Sequence, residues 1–170
     1  MLVNRPPGRM PGFTMMELLV AILVLSVGLL GLASLQTTGL RHNNSAWQRT
    51  LATELAEDMA DRIRANPQAA GQGYYDHVVP GKHVDCLTLA TGCSSPKAVA
   101  DADAAQWYAA LAARLPGGTG TVTGSAIAGG KARRYMVRVM WDDERRGVTG
   151  RGCSGDPTRD LTCFTIQFIR

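Results

Sequence analysis

Hydrophobic and polar positions fall into three regimes along this chain. Residues 18–35 read LLVAILVLSVGLLGLASL, apolar on every side and free of charge. Downstream, Trp47, Leu51, Leu55, Met59 and Ile63 recur at a four-residue step, the pattern of a single apolar stripe on a helix. Asp58 and Arg62 form an i, i+4 pair expected on the opposite face. Asn66-Pro67 is expected to end this helix, because the residue before a proline is pushed out of helical geometry. Residues 68–96, rich in Gly, Pro, Ser and Thr, read as a loop region. Ser95 offers an N-cap with Pro96 at the first helical position, and Trp107, Leu111 and Leu115 then share one face. The pattern predicts a short helix over roughly 98–115, stopped by Pro116-Gly117-Gly118. Beyond it the period becomes two. Tyr135, Val137, Val139 and Trp141 alternate with Arg134, Met136, Arg138 and Met140, and Phe164, Ile166 and Phe168 alternate with Thr165 and Gln167, so each run is a strand with one buried face. Residues 119–127, followed by a Gly129-Gly130 turn, complete a minimum of three antiparallel strands. The expected class is α+β: a long N-terminal helix packed on a small antiparallel sheet domain.

The uncharged run is long enough to cross a membrane. As helix, residues 13–36 extend roughly 35 Å against about 30 Å of hydrocarbon. A core helix this apolar would need cover on all sides, which a small domain does not supply. A cleaved secretory signal fits poorly, since the run exceeds a signal's apolar region and no A-x-A-like site closes it. The span is therefore expected to stay, together with contact to the lipid bilayer. Charge does not orient it: Arg5 and Arg9 on one flank are matched by Arg41 and Arg49 on the other.

The 170 residues make one domain's worth of chain, anchor included, and 45% hydrophobic residues suffice for a modest core. The formal net charge is +4, half of it from Arg5 and Arg9, too thin a surplus to neutralise many phosphates, so nucleic-acid binding is not expected. All four cysteines, Cys86, Cys93, Cys153 and Cys163, follow the span in two close-spaced pairs. Even spacing in loop-like sequence points to disulfides in an oxidising compartment, which places the C-terminal part outside the cytoplasm. Three pairings are open to four cysteines; joining Cys86 to Cys93 and Cys153 to Cys163 needs the least long-range assumption. A zinc site from His77, His83, Cys86 and Cys93 has the spacing H-x5-H-x2-C-x6-C, which matches no compact zinc pattern, and no metal or other cofactor is expected. The long loop 142–160 carries Arg145, Arg146, Arg151 and Arg159. It reads either as solvated and balanced by Asp142, Asp143 and Glu144, or as a contact for an acidic partner or DNA. Those three adjacent acids cannot all converge on a calcium ion without further ligands.

Just before the span stands Gly12-Phe13-Thr14-Met15-Met16-Glu17. A carboxylate drawn into hydrocarbon costs on the order of 2 to 4 kcal/mol unless it stays near the interface or meets a cation. The helix N-terminal dipole accommodates Glu17 in the headgroup layer without further function. The whole constellation, a short basic leader ending in Gly12, then Phe13-Thr14, Glu17 and an apolar helix, resembles the class III signal of type IV pilins. The resemblance implies a type IV pilin-like fold and four segments: a leader at 1–12, the transmembrane half of the helix at 13–36, its amphipathic half at 37–66, and a periplasmic domain at 67–170. It also implies cleavage by a prepilin peptidase between Gly12 and Phe13, N-methylation of Phe13, and a Glu17 that neutralises the new amino group of a neighbouring subunit during assembly. Many major pilins have a proline about two thirds along the span; here Gly28, Gly31 and Ser34 stand instead, so any local melting would rest on glycine.

The later order of Asp103, Trp107, Leu111, Leu115-Pro116-Gly117-Gly118 and Gly120, then Tyr135, Val137, Val139, Trp141 and Asp142, is similar to the PilV-type minor pilins, or type IV pilus modification proteins. That resemblance implies a role in priming pilus polymerisation. Its partners would be other minor pilins, the major pilin and the inner-membrane assembly platform. It also implies residence in a bacterial inner membrane with the leader cytoplasmic, or at the pilus tip after assembly. A minor pseudopilin of a type II secretion system shares the same signal and helix and is the alternative. An enzyme is not expected, because three histidines, His42, His77 and His83, form no catalytic order with a supporting motif.

Overall fold

The computed structural model describes residues 12–128 and 132–170. The expected leader, with Arg5 and Arg9, and the expected Gly129-Gly130 turn lie outside them, Gly12 excepted. The elements in chain order are α1 (Met15–Ala65), α2 (Pro67–Gly71), β1 (His77–Val78), a 3-10 turn at Cys86–Thr88, α3 (Pro96–Arg114), β2 (Thr119–Ala126), β3 (Arg133–Trp141) and β4 (Thr162–Ile169). The chain divides into two units, one ending at Asn43 and one spanning Asn44–Arg170.

In the second unit a four-stranded antiparallel sheet runs in the order β1-β2-β3-β4. Register sets the core rows: Val122 opposes Val137, which opposes Ile166, and Gly120 opposes Val139, which opposes Phe164. Tyr135, Val137, Val139 and Trp141 are all fully buried, as their alternation requires. Phe164, Ile166 and Phe168 are half-buried against the same core. Met140 departs from the pattern. Alternation assigns it to the open face, yet it is 1% exposed. It pairs in register with Cys163, whose disulfide to Cys153 brings the β3–β4 loop back to that face.

Helix α1 contributes Leu51, Ala52, Leu55, Ala56, Met59, Ala60 and Ile63 to the core. Trp47, the expected head of the stripe, is 60% exposed, and Gln48 is buried in its place at 3%. The cause is helical pitch. A four-residue step advances about 40° past a full turn, so a stripe drawn at that step drifts off the packed arc within a few turns. Arg62 also departs from expectation. Besides Asp58 at 2.9 Å it bonds Asp103 Oδ1 at 3.3 Å and Gln106 Oε1 at 3.0 Å, so it faces α3 rather than open solvent.

The region expected as loop holds more structure. Asn66 ends α1 and its Oδ1 also accepts from Ala69 N at 3.3 Å, capping α2 with Pro67 at the first position. Asp85 caps the 3-10 turn through Leu87 N. His77 and Val78 pair with Thr123 and Val122 and supply the fourth strand.

Helix α3 is capped by Ser95 and begins at Pro96, as its sequence predicts. Trp107 fits against β2 only because position 120 is glycine. A Cβ there would collide with the Trp107 ring and with the Arg138 carbonyl. Gly117 turns the chain at φ +58°, a conformation glycine adopts without penalty. Polar tips of the buried aromatics are answered: Trp107 Nε1 donates to the Leu55 carbonyl, Tyr135 Oη to the Ala70 carbonyl and Tyr108 Oη to the Gly120 carbonyl, each at 2.8 Å.

Among the described residues Arg138 Nε and both polar atoms of the Gln48 side chain are buried without a partner. Leaving buried amide atoms unpaired costs about 1 to 3 kcal/mol. Gln48→Met, which keeps the length and removes both polar atoms, is expected to stabilise the full-length protein by about 1 kcal/mol, read as a raised thermal midpoint in detergent. A lowered midpoint would mean that the amide is satisfied.

Candidate functional site

The N-terminal junction is built by a helix cap. Residues 12–14 precede α1 without regular structure. Thr14 Oγ1 accepts from Glu17 N at 3.2 Å and the Thr14 carbonyl accepts from Leu18 N at 3.2 Å, so Thr14 is the N-cap and Glu17 the third helical residue. This is the T-x-x-E spacing of a capping box, and it sets the carboxylate against the positive end of the helix. Glu17 therefore has a local role at the head of α1. Phe13 is 85% exposed, and a Cβ added at Gly12 would meet nothing within 4 Å. Both residues are open to a partner. Among the described residues Glu17 takes part in no ion pair.

Among the described residues, one helix is long and apolar enough to cross a membrane, and none of its most apolar stretch is buried within the chain. Two of the hydroxyls along it are internally satisfied: Ser26 Oγ donates to the Ile22 carbonyl at 2.7 Å and Thr37 Oγ1 to the Ala33 carbonyl at 2.9 Å. A lipid-facing helix needs that, since hydrocarbon offers no partner. Gly28 and Gly31 lie within α1 with open space around them, so nothing in the chain's own packing requires glycine there.

Each close-spaced cysteine pair is joined. Cys86–Cys93 has a Cα separation of 5.1 Å and Cys153–Cys163 one of 5.6 Å, both within the usual disulfide range. The first staples the segment before α3 and the second staples the β3–β4 loop. Two members of the rejected zinc set are thus consumed. His83 instead stacks on Tyr108 at 5.3 Å between centroids, with Nε2 3.0 Å from the Val79 carbonyl.

The three acids considered for calcium go separate ways. Asp142 is buried and accepts from Arg146 N at 3.0 Å and Gly147 N at 2.6 Å. Asp143 accepts from Trp141 Nε1 at 3.0 Å and Ser45 Oγ at 2.7 Å, while Glu144 pairs with Arg146 at 2.5 Å. Sequence reading did not single out Asp156 and Asp160, which shape the rest of this loop. Asp160 accepts from Gly152 N at 3.1 Å and Ser154 N at 3.2 Å, and Asp156 from Thr158 N at 2.9 Å and its hydroxyl at 2.7 Å. The Asx-type spacing Asp156-Pro157-Thr158 was the available signal.

Elsewhere a polar network joins α1, the α2 region and α3. Tyr75 Oη donates to Asp103 Oδ2 and accepts from Asn66 Nδ2 at 3.2 Å, while Arg62 reaches Asp103 from α1. Burial first, then the Asp103 hydrogen bond and charge, push the Tyr75 phenol up, so it stays protonated as a donor.

Comparison with known proteins gives two family matches. Residues 9–33 match the prokaryotic N-terminal methylation motif, and residues 34–109 match the Tt1218-like family, type IV pilin Tt1218. No curated protein and no solved structure matches. The two matches abut between Ala33 and Ser34 and together support a type IV pilin, with an architecture of type IV pilin-like α+β class. Pilins are structural proteins, a family not known for enzymes. The methylation motif and the apolar helix suggest membrane anchoring, prepilin peptidase processing and pilus partners.

The loop carboxylates carry a pH consequence. Hydrogen bonds from Ser154 and from the Gly152 backbone hold the Asp160 carboxyl below its ordinary value, and those from Thr158 do the same for Asp156. A depressed folded pKa stabilises above the unfolded value, and the effect is lost as pH falls through the folded one. Carbon-detected NMR should therefore show Asp160 titrating below the ordinary aspartate range. Protection of the Gly152 and Ser154 amides, taken relative to their intrinsic exchange rates at each pH, should stay constant from neutral pH into mild acid and fall only below that range. An ordinary or raised Asp160 midpoint would contradict the loop geometry.

Proposed function

We propose that this chain is a minor pilin of the PilV type that takes part in type IV pilus assembly. Residues 1–12 form a cytoplasmic leader, removed by prepilin peptidase after Gly12, and Phe13 becomes the N-methylated terminus. Residues 13–36 hold the protein in the bacterial inner membrane, 37–66 form the amphipathic half of the helix, and 67–170 fold in the periplasm, where the two disulfides are at home. There it meets other minor pilins, the major pilin and the assembly platform, and it primes or joins the filament through its N-terminal helix.

The observation that carries this reading is the lone Glu17, four residues beyond Phe13, at the head of a helix whose apolar surface the chain leaves wholly uncovered. Extraction of such a helix from lipid needs another apolar surface, and the carboxylate needs a cation. A neighbouring subunit supplies both, with its helix and its new amino group. Removing one partner of a desolvated ion pair costs about 3 to 5 kcal/mol, enough to select register.

Two substitutions test the reading. Gly12→Ala is expected to leave the precursor uncut, seen as a slower band, with the mature protein otherwise starting at Phe13 by mass spectrometry. Glu17→Ala is expected to be processed and inserted normally yet to lose co-purification with other minor pilins. Normal processing of the first variant would refute the cleavage site, and undiminished co-purification of the second would refute charge pairing. A chain encoded among type II secretion genes would transfer the same chemistry to a pseudopilin.

A further inference from the structure

The sheet of the second unit has two unlike edges. At one, β1 is only two residues long. At the other, β4 runs for eight residues, TCFTIQFI, with no charged side chain and no proline, and its register with β3 is unbroken. Edge strands are ordinarily kept from pairing by shortness, charge, proline or a bulge. The first of these blunts β1; none of them blunts β4.

Register tells which backbone groups of β4 point outward. Arg133 and Arg170 exchange both of their backbone hydrogen bonds, at 2.6 and 2.8 Å. Such pairs recur at every second residue of an antiparallel ladder, so Phe168, Ile166 and Phe164 turn their N–H and C=O groups to Tyr135, Val137 and Val139. Those of Cys163, Thr165, Gln167 and Ile169 therefore point away from the sheet. Among the described residues no other backbone group meets them. Side chains repeat the same incompleteness. Phe164, Ile166 and Phe168 pack on the core yet stay only half-buried, as the last row of a sheet does when one flank is open, and Thr165 and Gln167 on the other face are exposed.

The occupant is read from the strand itself. Phe164-Thr165-Ile166-Gln167-Phe168 has the same kinds of residue in either direction from Ile166. Laid antiparallel beside its own copy about a two-fold axis at Ile166, Thr165 faces Gln167 of the second copy and Cys163 faces its Ile169, so outward backbone groups meet outward backbone groups. Phe164 then faces Phe168 of the second copy, and Ile166 faces Ile166, in the non-hydrogen-bonded pairs where side chains approach most closely. A shift of one residue would misalign the backbone groups, and a shift of two would break the aromatic pairs. Arg64 lies 4.6 Å over the Phe168 ring but is paired with Asp61 at 2.7 Å, so it adds no unbalanced charge to this row. A strand of other sequence would find the same backbone groups without the matched ends.

We propose that β4 pairs antiparallel with β4 of a second copy of this chain, about a two-fold axis at Ile166, to form one sheet across a homodimer. Such a contact closes on itself, unlike the head-to-tail contacts of a filament, so it is a further state of the chain. It does not draw on the N-terminal signal, and the two readings stand or fall separately.

The test uses the full-length chain purified in detergent with the photo-cross-linking change Ile169→p-benzoylphenylalanine; Ile169 is 62% exposed. Irradiation is expected to give a covalent dimer in which mass spectrometry finds position 169 joined to the peptide carrying Cys163. The same change at Thr123, exposed on β2, should give none. Thr165→Lys with Gln167→Lys sets lysine opposite lysine at two exposed pairs and should lower the cross-linked fraction about tenfold, whereas Thr165→Lys with Gln167→Glu sets opposite charges together and should restore it. Absence of a dimer, a link from 169 to 169, or equal cross-linking from Thr123 overturns the proposal. Equal yields from the two double variants would also overturn it and assign association to the apolar helix.

Discussion

A buried hydrogen bond from Trp107 to the carbonyl of Leu55, 2.8 Å long, joins the elements on which the second unit depends. The indole belongs to α3, its acceptor to α1, and its ring fills the space that Gly120 leaves open on β2. Helix, helix and sheet are thus fixed to one another through one side chain. The rest of the core follows from that meeting: Leu55, Met59 and Ile63 from α1, Leu111 from α3, and the inward row of β3. Buried tryptophan supplies area, and its single N–H supplies direction, which dispersion alone does not.

Around this centre the polar groups act as fasteners. Arg62, Asp103, Tyr75 and Asn66 close one end of the α1–α3 contact, and the two disulfides shorten the longest irregular segments. Each disulfide closes a short loop and removes freedom mainly from the unfolded chain, worth about 2 to 3 kcal/mol apiece on the chain-entropy account. Such fastening suits a small domain that must also carry an apolar helix it does not cover itself.

The N-terminal residues obey the opposite logic. Among the described residues, the chain from Phe13 onward presents an uncovered apolar surface and one carboxylate at a helix start that Thr14 caps, and it offers that carboxylate no cation. In the second unit nearly every buried polar group is paired. The contrast is physical: a folded domain satisfies itself, whereas an uncovered apolar helix is satisfied only by an apolar surface from outside the chain. That is the behaviour the pilin-type architecture and the methylation motif lead one to expect.

Local physics made much of this legible from the residues alone. The uncharged run 18–35, the alternation of β3 and β4, and the Ser95-Pro96 cap depend on period and backbone geometry within a few residues, and these survive folding unchanged. Glu17 likewise stands out from the residues alone, because an acid at the head of an apolar helix is anomalous wherever the rest of the chain lies. Tertiary structure decided what depends on distant neighbours. Trp47 turned outward and Gln48 inward because packing follows the 3.6-residue pitch over several turns, which a four-residue stripe does not track. Met140 is covered because the Cys153–Cys163 disulfide brings the β3–β4 loop back to it, and Asp160 became a loop anchor because Gly152 and Ser154 came round to meet it. Sequence determines the faces a segment can offer; only the folded chain determines which of them find something to press against.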